Sequence, residues 1–76
     1  MANANDIHII VCTVPDTDSG HRIAALLVQD GLAACVNLIT GIESVYRWKG
    51  QLEKASEVLL MIKSRSADYT DVEEAI

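Results

Sequence analysis

Aromatic residues and prolines are scarce in this chain of 76 residues, which contains no phenylalanine, one proline and four glycines. Half of the residues are hydrophobic, which excludes a disordered or low-complexity chain. Positive charge is also scarce, since six Lys and Arg residues stand against eleven Asp and Glu residues, for a formal net charge of -5. Such an acidic chain has no basic surface for nucleic-acid phosphates or anionic membranes, so neither partner is expected.

The sequence also lacks the marks of a secreted protein, a membrane protein or an enzyme. It begins without the basic start and apolar core of a signal peptide, and the apolar run 7–14 is too short to span a bilayer, so we expect a cytoplasmic protein. Cys12 and Cys35 are far apart and form no C-x-x-C motif, which favours reduced thiols over a disulfide scaffold or a zinc knuckle. No Ser/His/Asp arrangement, paired-carboxylate motif, glycine-rich phosphate loop or H-E-x-x-H motif occurs, so no enzymatic activity is expected.

What the chain does contain is long β-rich runs around one amphipathic segment. Residues 7–14 are continuous and β-branched, which predicts a first strand at the centre of a sheet. Capping oxygens at 16–19 and a stop at Asp30-Gly31 enclose an apolar stripe that predicts a helix. Two further extended runs meet at Lys49-Gly50-Gln51 and predict a long hairpin, with a bulge or bend at Thr40-Gly41.

The second strand of that hairpin is apolar on both faces. Val58, Leu60 and Ile62 point to one side of the sheet, and Leu59 and Met61 point to the other. One helical layer covers only one of these faces, so the other face requires another subunit. Chains of this size also have small cores and often depend on oligomerisation. The pattern therefore predicts a small oligomeric β-rich protein.

The end of the sequence predicts a second helix that looks interrupted. Either Ser64 or Ser66 can cap it, and its apolar stripe runs to Ile76 without a terminating glycine or proline. The order β-α-β-β-α lacks only one strand of the split β-α-β, or ferredoxin-like, unit. We therefore expect a single α+β domain over residues 7–76, with an antiparallel sheet and helices on one face, that is part of a longer chain.

Four motifs in this order carry a resemblance to a known family. They are Val-Cys-Thr at 11–13, Gly-Leu-Ala-Ala-Cys-Val-Asn at 31–37, Tyr-Arg-Trp-Lys-Gly at 46–50 and Glu-Val-Leu-Leu-Met-Ile-Lys at 57–63. Together they resemble CutA, the divalent-cation tolerance family. The resemblance implies a ferredoxin-like homotrimer, similar in architecture to the PII signalling proteins, that is linked to metal tolerance and binds copper without enzymatic activity. The chain departs from the family in carrying Thr40 where proline is usual, and in lacking a His-Pro-Tyr segment and a further strand.

Cys12 is the candidate copper ligand. A thiolate suits Cu(I), and position 12 lies near the carboxyl end of the first strand, where loops gather. The alternative is that Cys12 is a small buried hydrophobe. Cys35 is expected to pack, at the opposite end of the sheet from Cys12, because the first two strands run parallel. His8 and His21 are not expected to bind metal.

Three residues are candidates for ligand binding in a cleft between subunits. Trp48, near the hairpin tip, can stack on an anionic or ring-shaped ligand or anchor an interface. Glu57 and Lys63 share one face of the last strand, and the resemblance implies that their equivalents line the cleft, where they either contact a small ligand or form a structural ion pair. Three functions stay open: a copper-binding homotrimer for divalent-metal tolerance, a PII-like trimer that binds a small anionic ligand, and a structural or partner-binding trimer.

Overall fold

The computed structural model describes residues 6–76 as one antiparallel sheet of three strands with two helices on one face. The predicted α+β class and element order are confirmed. No helix among the described residues is long and apolar enough to cross a membrane. In chain order the elements are β1 (Ile7–Val14), α1 (Thr17–Gln29), β2 (Cys35–Trp48), β3 (Gln51–Arg65), a 3-10 turn (Ser66–Asp68) and α2 (Tyr69–Ala75).

The strand β3 lies between the other two strands, in the order β1-β3-β2. The predicted central position of β1 refers to the complete ferredoxin-like unit with its further strand and stays a prediction, whereas in the sheet that residues 6–76 form β1 lies at an edge. β2 and β3 are joined as a hairpin, and β1 pairs with the free side of β3, so β1 gains one neighbour only. Its outward residues Ile7, Ile9 and Val11 are accordingly 64%, 56% and 56% exposed.

The helix α1 begins and ends as its sequence predicts. The Asp16 side chain accepts a hydrogen bond of 2.7 Å from the Ser19 backbone N–H, which caps the first turn. At the other end Gly31 adopts φ +71, the left-handed conformation that glycine tolerates best. Between them Gly20 faces the sheet so closely that a Cβ there would lie 3.1 Å from Leu38 Cδ2 and 3.3 Å from Leu60 Cδ2. A glycine at this position therefore lets the helix pack directly on the strands.

The core lies between the sheet and the helices. Alternate side chains of β3, from Val58 through Leu60 to Ile62, are buried there against Leu27 of α1 and Val72 of α2. The other alternate set, which includes Leu59 and Met61, points away from the helices and is only partly covered. We call this second side of the sheet the open face. The predicted division of β3 into two apolar faces is confirmed.

A bulge in β2 changes which of its residues share the open face. The register shifts between Ile39 and Ile42, and Gly41 in the bulge has φ +78. Ile39 pairs with Leu59 before the shift, and Ile42 pairs with Glu57 after it, so odd-numbered residues of β2 lie on the open face before the bulge and even-numbered residues lie there after it. The predicted bend at Thr40-Gly41 is confirmed.

The hairpin also extends beyond β1. The last pair between β1 and β3 is Val14 with Val58, whereas β2 and β3 stay paired as far as Trp48 and Gln51. Residues 42–57 thus form a two-stranded ribbon, which we call the arm. Each face of the arm carries exposed apolar surface, since Tyr46 on the open face is 46% exposed and Leu52 on the other face is 73% exposed.

The predicted cap of the second helix is wrong. β3 continues to Arg65, so Ser64 is a strand residue on the side that faces the helices, where it is only 1% exposed. Its hydroxyl donates a hydrogen bond of 2.7 Å to the Leu32 carbonyl. The residue before α2 is Asp68, which makes no side-chain cap and instead pairs with Arg65 at 2.9 Å.

We expect Ser64→Ala to lower the free energy of unfolding by about 1–3 kcal/mol, because the substitution removes the buried hydroxyl that binds the Leu32 carbonyl. Urea unfolding followed by circular dichroism measures the change. Ser56→Ala is the matched control, since Ser56 is an exposed residue of the same strand and should stay within about 0.5 kcal/mol of the unsubstituted protein. Equal stabilities for the two variants would contradict a structural role for the Ser64 hydrogen bond.

Candidate functional site

The open face is an apolar surface with one charged residue towards each end of its central stretch. Leu59 and Met61 of β3 occupy the middle, flanked by Val11 of β1. Glu57 lies on the arm side of this apolar patch, and Lys63 lies on the side near the start of β1 and β2. Because side chains of one strand alternate between the faces, Glu57 and Lys63 point to the same side of the sheet.

The three residues predicted for a cleft share this face but do not meet within one chain. Glu57 and Lys63 are separated by six residues of an extended strand, which span about 20 Å. Trp48 pairs with Gln51, so it lies on the other side of Glu57, again about 20 Å along the strand. Glu57 and Lys63 therefore do not form an ion pair within one chain, and the predicted alternative of a structural ion pair stays a prediction for an assembly of several chains. A site that contains all three residues requires more than one copy of the chain.

The carboxyl of Glu57 is accompanied by two hydroxyl groups. Hydrogen bonding from Ser44 of β2, and to a smaller degree from Thr13 of β1, lowers the pKa of Glu57 by stabilising its ionised form. The pairing register puts Ser44 and Thr13 on the same face as Glu57, one on each neighbouring strand. Sequence reasoning missed both hydroxyl residues. The signal for Ser44 is the bulge at Gly41, because only the register shift turns Ser44 onto the same face as Glu57.

Trp48 extends the open face to the end of the arm. Its side chain is 61% exposed, and Tyr46, which shares the face two residues earlier, is also exposed. The neighbouring Arg47 pairs with Leu52 and lies on the opposite side of the arm. The exposure of Trp48 suits either of the predicted roles, stacking on a ligand or anchoring an interface.

The two cysteines lie on opposite faces of the sheet. Cys12 pairs with Leu60 and packs against the core, and burial raises the pKa of its thiol. Cys35 pairs with Lys63 on the open face, where its sulfur lies 4.0 Å from Asn37 Oδ1. The structure thus agrees with the alternative prediction for Cys12, a packing position against the core, whereas Cys35 lies outside the core. Two strand spacings across and three residues along the sheet keep the thiols about 14 Å apart, beyond disulfide reach but not at opposite ends of the sheet.

The histidines lie apart from Cys12. His8 starts β1 opposite Ser64, and His21 is exposed on α1. Within residues 6–76, no three His, Cys, Asp or Glu side chains come close enough together to hold a metal ion. The assignment of a metal to Cys12 therefore stays a prediction, and further ligands would have to come from other copies of the chain or from outside residues 6–76.

One groove lies away from the open face, between α1 and the end of β1. It has a volume of about 420 Å³ and a largely apolar wall, with Arg22 directed to the Ser19 hydroxyl at 3.3 Å. It brings together none of the residues predicted to bind a ligand. Its lining residues are Val14, Pro15, Ser19, Arg22, Ile23 and Leu26.

Comparison with known proteins gives one consistent result. The profile of the family described as CutA1 divalent ion tolerance protein matches residues 8–76. The chain is 48% identical over 59 residues to the chloroplastic protein CutA of Arabidopsis thaliana. The crystal structure of CutA from Xylella fastidiosa aligns with a TM-score of 0.88 at 38% identity over 91% of this chain. The structure of the periplasmic divalent cation tolerance protein CutA from Archaeoglobus fulgidus aligns with a TM-score of 0.87 at 34% identity over 92% of this chain.

These relatives are longer than the 76 residues. The aligned part of the chain spans 32% of the Arabidopsis protein. It spans 66% of the Xylella structure and 68% of the Archaeoglobus structure. The family match over residues 8–76 runs through both helices, β2, β3 and all of β1 except its first residue.

We expect the carboxyl of Glu57 to titrate below the ordinary range of glutamate, and Ser44→Ala to raise its pKa more than Thr13→Val does, because Ser44 provides the larger stabilisation. A depressed pKa in the folded state stabilises the fold above the ordinary glutamate pKa, and that contribution is lost as the pH falls through the folded value. Carboxyl ¹³C chemical shifts followed against pH measure the midpoints. Ser56→Ala, on the other face of the arm, should leave the midpoint unchanged. An ordinary midpoint that none of these variants moves would contradict the hydroxyl contacts.

Proposed function

Because the chain belongs to the CutA1 divalent ion tolerance family, we propose that the whole protein is a homotrimer that binds copper and serves tolerance and homeostasis of divalent metal ions. The observation that supports a role in divalent-metal tolerance is the family match over residues 8–76. We further propose that it acts in the cytoplasm, although relatives carry the names chloroplastic and periplasmic. We propose no enzymatic activity, in keeping with the absence of catalytic motifs from the sequence.

The open face supports assembly. Ile9 and Val11 are each 56% exposed there and Ile39 is 39% exposed, beside the partly covered Leu59 and Met61. A contiguous apolar surface of this kind is unfavourable in water and is typical of interaction sites. Covering it with other copies of the chain also brings together side chains that one chain holds about 20 Å apart.

The thiol of Cys12 supports the choice of copper as ligand. Soft sulfur favours Cu(I) over hard divalent ions. Burial raises the pKa of Cys12, so metal binding has to displace a proton from the thiol, and copper affinity should rise with pH. A partly buried thiol also limits access of water to a bound ion.

A second function is favoured by the placement of Trp48, Glu57 and Lys63. Their common face and wide separation suit a cleft between copies that binds a small anionic ligand near Trp48 and Lys63, as in a PII-like sensor. Thermal shift measurements with copper, other divalent metals and nucleotides separate the two functions, because a ligand that binds the native state raises its melting temperature. Stabilisation by nucleotides and not by copper would favour the second function.

We expect light scattering on the full-length protein at micromolar concentration to give three times the mass of one chain. Leu59→Asp should shift the protein to lower mass, because it places a charge in the middle of the apolar open face, where burying it unpaired costs several kcal/mol, roughly 3–5 by comparison with broken buried pairs. Ala25→Asp is the control, since Ala25 is exposed on α1. A compact monomer for the unsubstituted protein would contradict the proposed assembly.

We expect about one Cu(I) per subunit in the reduced full-length protein. Cys12→Ser should weaken binding by far more than Cys35→Ser does, and affinity for the unsubstituted protein should rise with pH as the thiol loses its proton. Competition with a Cu(I) chelator under anaerobic conditions measures both effects. Equal affinities for the unsubstituted protein and Cys12→Ser would leave Cys12 as a core residue and shift the preference to the anionic-ligand sensor.

A further inference from the structure

The open face carries two residues of opposite charge on β3 that are too far apart to contact each other within one chain. Glu57 and Lys63 lie about 20 Å apart on β3, with Leu59 and Met61 between them. Among residues 6–76 no carboxylate lies within 4 Å of Lys63, whereas the nearby Arg65 is held by Asp68 at 2.9 Å. Each copy of the chain thus presents a negative and a positive group at the two ends of the stretch of β3 that contains Leu59 and Met61.

Hydrogen bonding lowers the pKa of Glu57, which favours the charged state that such an arrangement needs. Ser44 pairs with Ala55 and Thr13 pairs with Leu59, so both hydroxyl residues lie on the open face next to Glu57, one on each neighbouring strand. A carboxylate has lone pairs for about four hydrogen bonds, so acceptor capacity remains for a cationic donor.

When a second copy covers the open face, the way in which it is placed decides which of its residues supplies the cationic donor to Glu57. If the copies are laid with their β3 strands in the same direction and register, like charges meet and repel each other. If they are related by a rotation that slides or reverses one strand against the other, Glu57 meets Lys63 and the apolar residues between them pack together. Charge complementarity therefore disfavours the parallel, in-register placement and favours placements that bring Glu57 to Lys63.

We infer that Glu57 of one copy forms an ion pair with Lys63 of the next copy, and that Ser44 and Thr13 are positioning residues for this pair. The inference rests on the proposed homotrimer. In a closed ring every interface then contains one such pair, formed by different chains. Two side chains that are too far apart to interact within a subunit become direct partners between subunits and set the register of the assembly.

Charge reversal tests the pair. Glu57→Lys and Lys63→Glu should each raise the dissociation constant of the full-length assembly about tenfold or more, since close interfacial charge pairs are coupled to at least this degree. The double variant, which restores opposite charges, should assemble close to the unsubstituted level. Lys54→Glu and Glu43→Lys, exposed on the other face of the arm, are the controls and should have little effect. Analytical ultracentrifugation over a dilution series measures the constants.

Mixing the two single variants shows whether the pair crosses between chains. In a mixed trimer the two interfaces between unlike variants each bring opposite charges together, and only the interface between two chains of the same variant keeps like charges. A 1:1 mixture should therefore form heavier species than either variant alone. Circular dichroism first establishes that each variant is folded. If one is not, the milder Glu57→Gln and Lys63→Gln variants enter a double-mutant cycle, where coupling of the two effects is expected.

The outcomes of these experiments distinguish a failure of the proposed homotrimer from a failure of the proposed ion pair. If the unsubstituted full-length protein is a monomer throughout the dilution series, the homotrimer and the ion pair are both overturned. If it is a trimer and the single reversals assemble normally, or the double variant is no better than the single ones, the ion pair is overturned while the homotrimer stands. A mixture no heavier than its components likewise overturns the pairing between chains.

Discussion

The alternation of side chains along β3 is the constraint on which the rest of the molecule depends. As the central strand, β3 contributes one set of side chains to the core and the other to the open face. Val58, Leu60 and Ile62 pack against both helices, while Glu57 and Lys63 are displayed on the opposite side. A slip of one residue in the pairing would exchange the two sets. Stability and the candidate site are therefore determined by the same register.

Local signals in the sequence predict the elements well, because each signal acts over a few residues. Asp16 caps α1, Gly31 ends it, and Gly41 lies where β2 is interrupted, as their residue types indicate. The edge position of β1 does not follow from its composition. A continuous β-branched run shows that a strand is apolar, but which neighbours it acquires depends on the topology of the whole sheet.

The other differences between the predictions from sequence and the structure also arise from contacts between residues that are distant in the sequence. Ser64 has the residue type of a helix cap, but its hydroxyl binds the carbonyl of Leu32, a distant residue in the sequence. Ser44 joins Glu57 only because an extra residue in the bulge reverses the alternation in β2, so a regular pattern counted along the strand puts it on the wrong face. Alternation of side chains along β3 is enough to predict that Glu57 and Lys63 share one face. Which hydroxyl residues lie beside Glu57 depends on how the neighbouring strands pair with β3, which the sequence of β3 does not show.

The arm has a consequence for how order is acquired. A two-stranded ribbon without a third strand or a covering layer is only marginally stable in water, and the arm beyond Val14 has neither within residues 6–76. In an isolated chain the amide protons of the arm would exchange with solvent through frequent local openings. The free energy of these openings would be far below the free energy of global unfolding. Contacts from other copies would suppress those openings. Ordering of the arm and association of the chains are then one coupled equilibrium, whose midpoint shifts with protein concentration.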